Sequence, residues 1–247
     1  MDGITMGGGV GISLHGSHPV ATERFVFAMP ETGIGFFPDI GASYLLSRCP
    51  DSFGPYLGLT GHSLHAHEAK TVGLVKHVIA SEKIPMLIEQ LLKLDLSHEA
   101  HVQIDACLKT MTLEPTDAPS LAHASIIDDC FGQDSVERIF DALENQAHEW
   151  SQNQRINLIK KSPISLKVTL AQLQKAKHLE MADCIKMDYC LSQHFMKDVD
   201  FYEGVRALLV DKDKNPHWQP HDLKQVSQQM VDRYFECGQR ALPLTIE

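Results

Sequence analysis

Two carboxylates stand in an otherwise apolar, glycine-rich segment, residues 29–41, and such a pair could divide acid and base roles. They are Glu31 and Asp39. The neighbouring Phe36 and Phe37 would desolvate a nearby acid and raise its pKa. Asp39 directly precedes a predicted helix, where N-terminal backbone dipoles favour the ionised form. On spacing alone, Glu31 could equally be a surface acid, and a plain helix cap is the simpler role for Asp39.

Three consecutive glycines, residues 7–9, follow a short apolar run that is typical of a strand. Glycine lets the backbone approach a ligand closely. A main-chain N–H there can stabilise negative charge on a carbonyl oxygen during acyl transfer. A tight turn without a ligand is the simpler interpretation of an isolated triplet. A phosphate-binding loop is not indicated, because no Gly-Lys-Ser/Thr follows and no GxGxxG motif is suitably placed.

Two other polar clusters are weaker candidates. The first consists of His62, His65 and His67. We expect no metal site there, because the last two cannot share a helix face and no acidic or cysteine partner is evident. The second consists of Lys160, Lys161 and Lys167. We expect these lysines to form a solvated helix face, with phosphate binding as the alternative.

Composition and charge argue against several classes of partner. The 247 residues are 43% hydrophobic and 22% charged, which suits a globular protein with a substantial core. The net charge of −10 argues against nucleic acid and anionic membranes, which need an electropositive face. No apolar stretch is long enough to span a membrane, and no signal peptide is visible. Six cysteines without a CxxC pair predict reduced thiols, no disulfide framework and a cytoplasmic location.

The first part of the chain, up to about residue 79, alternates strand and helix patterns. Strands are predicted at 23–28 and 74–79. A helix is predicted to start at residue 41, and another is predicted between His62 and Gly73, where Leu64, Glu68 and Val72 share a helical spacing. This alternation predicts a layered α/β arrangement.

The pattern beyond this part is helical. Asp134, three residues before Glu137, resembles a capping box that begins a helix. Ser162 followed by Pro163 is a helix start with proline at the first helical position. The proline-rich stretch 112–119 is typical of a surface linker.

Five segments together carry a specific resemblance. Asp-Gly-Ile-Thr-Met-Gly-Gly-Gly-Val-Gly occupies residues 2–11, Phe-Ala-Met-Pro-Glu-Thr occupies 27–32, and Phe-Pro-Asp occupies 37–39. Ser-Pro-Ile-Ser-Leu-Lys follows at 162–167 and Asp-Phe-Tyr-Glu-Gly-Val-Arg-Ala at 200–207. In combination they resemble the 3-hydroxyisobutyryl-CoA hydrolase branch of the enoyl-CoA hydratase/isomerase (crotonase) family.

The resemblance implies an α/β fold, a partial crotonase-like spiral of ββα units followed by a helical C-terminal region. We divide the chain into a partial α/β core (1–95), a helical connection and linker (96–133) and the helical region (134–247). In the family a sizeable segment precedes the motif at residue 2, and it supplies strands, CoA contacts and the other oxyanion-hole N–H. We therefore expect a chain without its N-terminal portion, weakly active or inactive alone. Uncovered strand edges would favour a complementary N-terminal chain or a homo-oligomer.

The resemblance also implies the site. Gly8 would donate one oxyanion-hole N–H, Glu31 would be the main catalytic carboxylate, and Asp39 the second acid. Hydratases carry a further glutamate at the position matched by Gly11, so hydrolysis of an acyl-CoA thioester is favoured over hydration of a double bond.

The expected substrate is 3-hydroxyisobutyryl-CoA, as in valine breakdown, with coenzyme A as part of the substrate and no separate cofactor. Glu31 could activate a water or attack the thioester itself to form an anhydride. Asp39 could bind the substrate hydroxyl or relay a proton. The alternatives are an enoyl-CoA hydratase or isomerase, and a non-catalytic fragment that binds an N-terminal partner.

Overall fold

A computed structural model describes residues 1–113 and 122–237, so most of the predicted linker at 112–119 lies outside the described residues. The strands, in chain order, are β1 (Ile4–Met6), β2 (Val20–Thr22), β3 (Val26–Ala28), β4 (Leu64–His65) and β5 (His77–Ile79). The helices, in chain order, are α1 (Gly8–Ser13), α2 (Ala42–Leu46), α3 (Phe53–Thr60), α4 (Ala66–Thr71), α5 (Ile84–Leu91), α6 (Ala100–Lys109), α7 (Ala124–Phe131), α8 (Val136–Asn145), α9 (Glu149–Ile159), α10 (Pro163–Ala176), α11 (Met181–Phe195), α12 (Val199–Val205) and α13 (Gln228–Tyr234). The predicted change from an α/β part to a helical part is confirmed.

The chain forms two compact units, each built from two separate stretches of sequence. Among the described residues, the first comprises those within 1–28 and 63–122, and the second comprises those within 29–62 and 123–247. Glu31 and Asp39 therefore belong to the second unit, and Gly8 to the first. The division into three regions along the sequence stays a prediction.

The first unit contains two small sheets. In one, β1 pairs in parallel and β4 in antiparallel with β3; in the other, β2 and β5 are parallel. Apolar and β-branched residues such as Val78 and Ile79 form these strands because their side chains pack well on a pleated surface. Ile79 packs with Leu87 of α5 and Leu108 of α6 in one buried cluster. Within the described residues β1 is an edge strand, and its Ile4 is 78% exposed.

The second unit is helical and centred on α10, which packs against α2, α3 and α13. The Ser162 hydroxyl accepts a hydrogen bond from the Ser165 N–H at 3.2 Å, and Pro163 is the first helical residue, so the predicted helix start is confirmed. Ile164 and Val168 of α10 are buried in a core that also contains side chains of α11 and α13.

The predicted cap of α8 is wrong by one residue. The Ser135 hydroxyl, not the Asp134 carboxylate, accepts the hydrogen bond from the Arg138 N–H. Ser135 has the extended backbone that a cap residue needs, with φ −141° and ψ 153°. Asp134 instead accepts a hydrogen bond from the Arg138 guanidinium at 2.8 Å.

The expectation of six reduced thiols is wrong at one pair. Cys190 of α11 and Cys237 form a disulfide, with their Cα atoms 5.2 Å apart. Their separation of 47 residues carries no recognisable motif, so only the fold brings them together. The other cysteines, Cys49, Cys107, Cys130 and Cys184, are free. Among the helices of the described ranges, none has the length and apolar character needed to cross a membrane.

Candidate active site

Glu31 begins a 3₁₀ turn, Glu31–Ile34, that two glycines allow to lie directly against α12. Gly35 ends the turn with φ 68°, and a Cβ added there would lie 2.3 Å from the Asp200 carbonyl oxygen. A Cβ on Gly204 of α12 would lie 2.3 Å from the Ile34 carbonyl oxygen. Side chains at either position would force the turn and the helix apart.

Further hydrogen bonds fix the same turn. The Thr32 hydroxyl donates to the Leu59 carbonyl at 3.0 Å, and the Ser162 N–H donates to the Thr32 carbonyl at 3.2 Å. The Ser162 hydroxyl donates to the Asp200 carboxylate at 2.6 Å. The turn that carries Glu31 is thus tied to α3, to the start of α10 and, through Asp200, to α12.

The Glu31 carboxyl group is buried in an environment that disfavours its charge. Its side chain is not at the surface, since the residue is 7% exposed, and Oε2 has no hydrogen-bond partner. The pKa of Glu31 is raised to about 8: burial is the largest cause and the charge of Asp39 contributes, whereas a hydrogen bond from its own N–H and the charge of Lys161 oppose the rise. The predicted upward shift is confirmed, and the alternative of a surface acid is wrong.

Asp39 lies in the loop before α2 and is partly buried. Burial raises the pKa of Asp39, so the expectation that the helix terminus would favour its ionised form is wrong in direction. The N-cap of α2 is Gly41, without a side-chain cap, and the Asp39 carbonyl accepts from the Ala42 N–H at 2.9 Å. The Asp39 side chain is therefore not a helix cap either.

Asp188 of α11 is a further buried carboxyl group beside this loop that the sequence did not reveal. It accepts hydrogen bonds from the Gly41 N–H at 2.7 Å and from the Gln172 amide at 2.8 Å. The same amide nitrogen donates to the Pro38 carbonyl at 2.9 Å, so the pair holds the loop on both sides of Asp39. Burial raises the pKa of Asp188 to about 7, and the charge of Asp39 adds to the rise.

The three lysines do not form a solvated helix face. Lys160 is exposed, but Lys167 is only 15% exposed at its side chain and contacts Glu137 at 2.5 Å. Burial lowers the pKa of Lys161, whereas the charge of Glu31 raises it. The prediction of a solvated face is wrong for Lys161 and Lys167 because both residues are only partly exposed and the ends of their side chains lie against neighbouring residues.

Gly8 is the first residue of α1, directly after β1. The preceding Gly7 has φ 48°, a backbone conformation that favours glycine. As the first helical residue, Gly8 has a main-chain N–H without an intrahelical acceptor. A Cβ added at Gly8 would meet no atom within 4 Å. The role of Gly8 in an oxyanion hole stays a prediction.

A carboxyl group with a pKa near 8 can exchange a proton at neutral pH, which is what general acid–base chemistry requires. Glu31 has this property, and Asp39 is close enough for its charge to affect Glu31. No three His, Cys, Asp or Glu residues in the described part of the chain could together hold a metal ion.

Comparison of the chain with known proteins identifies its family. The family model described as enoyl-CoA hydratase/isomerase matches residues 1–235. The chain belongs to the enoyl-CoA hydratase/isomerase family. A crystal structure of a carnitinyl-CoA dehydratase from Mycobacterium thermoresistibile is similar, with a TM-score of 0.87 and 35% identity over 98% of this chain and 68% of that one. The predicted family and its crotonase-like α/β fold are confirmed.

Two curated relatives are similar to this chain over nearly its whole length. The mitochondrial 3-hydroxyisobutyryl-CoA hydrolase of Rattus norvegicus is 41% identical over 98% of this chain and 64% of its own length. The 3-hydroxyisobutyryl-CoA hydrolase 1 of Arabidopsis thaliana is 40% identical over 97% of this chain and 65% of its own length. The chain thus spans less than two thirds of these relatives. A cytoplasmic location for this chain stays a prediction.

Proposed function

We propose that the chain serves the hydrolysis of a short 3-hydroxyacyl-CoA thioester, specifically 3-hydroxyisobutyryl-CoA to 3-hydroxyisobutyrate and coenzyme A, as in valine breakdown. The observation that carries the proposal is the buried Glu31 carboxyl group, which has one oxygen without a partner and a pKa near 8. Relatives that bear the name of this hydrolase share 40 to 41% identity with the chain and support the choice of substrate.

Two routes are consistent with such a carboxylate. In the first, Glu31 takes a proton from water while the water oxygen attacks the thioester carbon, and the C–S bond breaks as the thiolate leaves and is protonated. In the second, Glu31 attacks the same carbon, the thiolate leaves, and water hydrolyses the resulting anhydride. Gly8 would stabilise the oxyanion through its N–H, and Asp39 would bind the substrate hydroxyl or relay a proton.

The test is release of free thiol from 3-hydroxyisobutyryl-CoA by the purified chain and by Glu31→Gln. Both routes need the ionised carboxylate, so the rate should rise with pH and level off above about 8. The glutamine variant should lose this activity while its circular dichroism spectrum stays unchanged. Hydrolysis that survives Glu31→Gln would remove Glu31 from the proposed role.

Gly8→Ala tests the other predicted contributor. The added methyl group would meet no atom within 4 Å, so the fold should tolerate it. Reduced hydrolysis with unchanged thermal stability would support binding of the substrate acyl group next to Gly8. Hydrolysis and stability that both equal those of the original chain would argue against it.

Hydration or isomerisation of a double bond is the second candidate, because the similar crystal structure is that of a carnitinyl-CoA dehydratase. Gly11 opposes it, since the resemblance places a hydratase glutamate at that position. Incubation with a short 2-enoyl-CoA separates the two activities: a hydratase removes the absorbance of the conjugated thioester, and a hydrolase releases thiol.

The non-catalytic alternative is that the chain needs a complementary N-terminal polypeptide. Ile4 on β1 and Ile12 on α1 are 78% and 92% exposed, which leaves apolar surface for a further chain to cover. The hydrolysis assay is therefore repeated with a polypeptide that supplies the part of the relatives that this chain does not span. Hydrolysis that appears in the mixture but not with the isolated chain would favour this alternative.

A further inference from the structure

We infer that Lys161 is a positioning residue for Glu31: its partly buried ammonium group lies against the 3₁₀ turn at Gly33 and stabilises the ionised Glu31 carboxylate. The importance of this for catalysis rests on the proposed function, but the electrostatic contact itself does not.

The backbone holds Lys161 beside the turn. Lys161 follows α9 and precedes Ser162, whose N–H donates to the Thr32 carbonyl at 3.2 Å. A Cβ added at Gly33 would lie 3.2 Å from the Lys161 Nζ and 3.8 Å from its Cδ, so the end of the lysine side chain rests on the glycine. The absence of a side chain at residue 33 makes room for the ammonium group two residues from Glu31.

The Lys161 ammonium group forms no direct ion pair with any of the described residues. Within the described residues, no carboxylate lies within salt-bridge distance of its Nζ and no oxygen accepts a hydrogen bond from it, whereas Lys167 has both kinds of contact. Lys161 also lines a cavity of about 520 Å³ with Arg155, Pro163 and Leu166. Its charge is therefore available to act across space on Glu31, the carboxyl group whose charge acts on Lys161 in return.

The other charged groups around the turn do not replace it. Lys161 and Asp39 are the two groups whose charges act on Glu31, and with opposite effects. Of the elements packed against the turn, α3 carries no charged residue. The charged residues of α10 and α12 are Lys167, Lys175, Asp200 and Glu203. These residues make contacts of their own. Lys167 and Glu203 form ion pairs, and Lys175 lies over an aromatic ring. Asp200 accepts hydrogen bonds.

Loss of the ammonium group should therefore make Glu31 harder to ionise. Lys161→Met keeps an unbranched side chain and removes the charge, and we expect the titration midpoint of Glu31 to move up by about one pH unit. Lys160→Met is the matched control, because it removes a neighbouring charge that is exposed to solvent. Lys161→Arg retains a cation and should stay closer to the original midpoint than the methionine variant does.

The measurement is a pH titration of the glutamate side-chain carboxyl signals by ¹³C NMR, with the Glu31 signal assigned by its disappearance in Glu31→Gln. It follows Glu31 directly and needs no enzymatic activity, so it remains decisive if the proposed hydrolysis fails. Trp218 donates to the Lys160 carbonyl at 3.0 Å, and its fluorescence reports whether each variant keeps the local fold.

Gly33→Ala provides an independent perturbation, because its Cβ would press on the Lys161 Nζ from 3.2 Å. It should raise the Glu31 midpoint in the same direction as Lys161→Met. The inference is overturned if Lys161→Met leaves the Glu31 midpoint where Lys160→Met leaves it. If the chain hydrolyses the thioester, the pH–rate profile of Lys161→Met should shift upward together with the NMR midpoint.

Discussion

Replacing Glu31 with glutamine should stabilise the protein at alkaline pH and change little at acid pH. The pKa of Glu31 is raised from 4.5 to about 8 in the folded chain, chiefly by burial. Between these values the folded state keeps a proton that the unfolded chain has already lost. The stability of the original chain therefore falls as the pH rises from about 4.5 to about 8, and the penalty is constant above that. Glutamine does not titrate and avoids the penalty.

The size of this stability difference follows from the change in the pKa of Glu31 between the unfolded and the folded chain. A difference of about 3.5 pH units, at about 1.4 kcal/mol each, gives a ceiling of about 5 kcal/mol for the cost of ionising Glu31 in the folded chain. Relaxation around the carboxylate and entry of water reduce such penalties. We therefore expect the variant to gain about 2–4 kcal/mol relative to the original chain between about pH 4 and about pH 9.

Urea unfolding followed by tryptophan fluorescence measures this difference. Trp150 and Trp218 are the two tryptophans, and both lie in the same unit as Glu31. Glu180→Gln, at an exposed glutamate before α11, is the matched control and should show no comparable gain. A stability difference between Glu31→Gln and the original chain that does not grow with pH would refute the reasoning, because Glu31 would then be solvated or paired.

Two further pairs of substitutions test the packing that holds the site. Gly35→Ala should lower the stability by about 3 kcal/mol or more, because its Cβ would lie 2.3 Å from a carbonyl oxygen of α12. Gly73→Ala is the matched control: its φ is 82° but no atom is near, so it should lower the stability by about 1–2 kcal/mol. Equal losses of thermal stability by circular dichroism would contradict this. Gln172→Leu should cost about 2 kcal/mol by urea unfolding, because it removes donors to Asp188 and to a main-chain carbonyl. The exposed Gln174→Leu should cost much less, and a similar loss in both would count against the role of Gln172.

Features with local causes could be predicted from the sequence. The apolar residues 34–37 indicated that Glu31 would be desolvated, and its pKa is indeed raised. Ser162 and Pro163 marked the start of α10, because a capping hydroxyl and a proline at the first helical position act within one turn of helix. The family motifs likewise predicted the fold, since each motif is a continuous run of residues.

Features that depend on distant contacts could not be predicted. The dipole of α2 was expected to favour ionised Asp39, but α2 has only five residues and burial outweighs it. Asp188 binds the Gly41 N–H across 147 residues of sequence, and no pattern in a single sequence indicates that contact. Lys161 looked like a solvated lysine because its immediate neighbours in sequence, Lys160 and Ser162, are polar, whereas the end of its side chain lies against Gly33, which is distant in sequence.

Glu31 and Asp188 are both influenced by the charge of Asp39, and this determines which measurement is informative. Asp39 raises the pKa of both Glu31 and Asp188, so the ionisation of Asp39 changes the midpoints of both groups. A pH–rate profile reports midpoints of these groups together and cannot assign one of them to Glu31. Lys161 acts on Glu31, whereas Asp188 is influenced by Asp39 and by its own hydrogen bonds. A titration that follows the Glu31 signal alone therefore separates the effect of the lysine from that of the neighbouring acids, which kinetics cannot do.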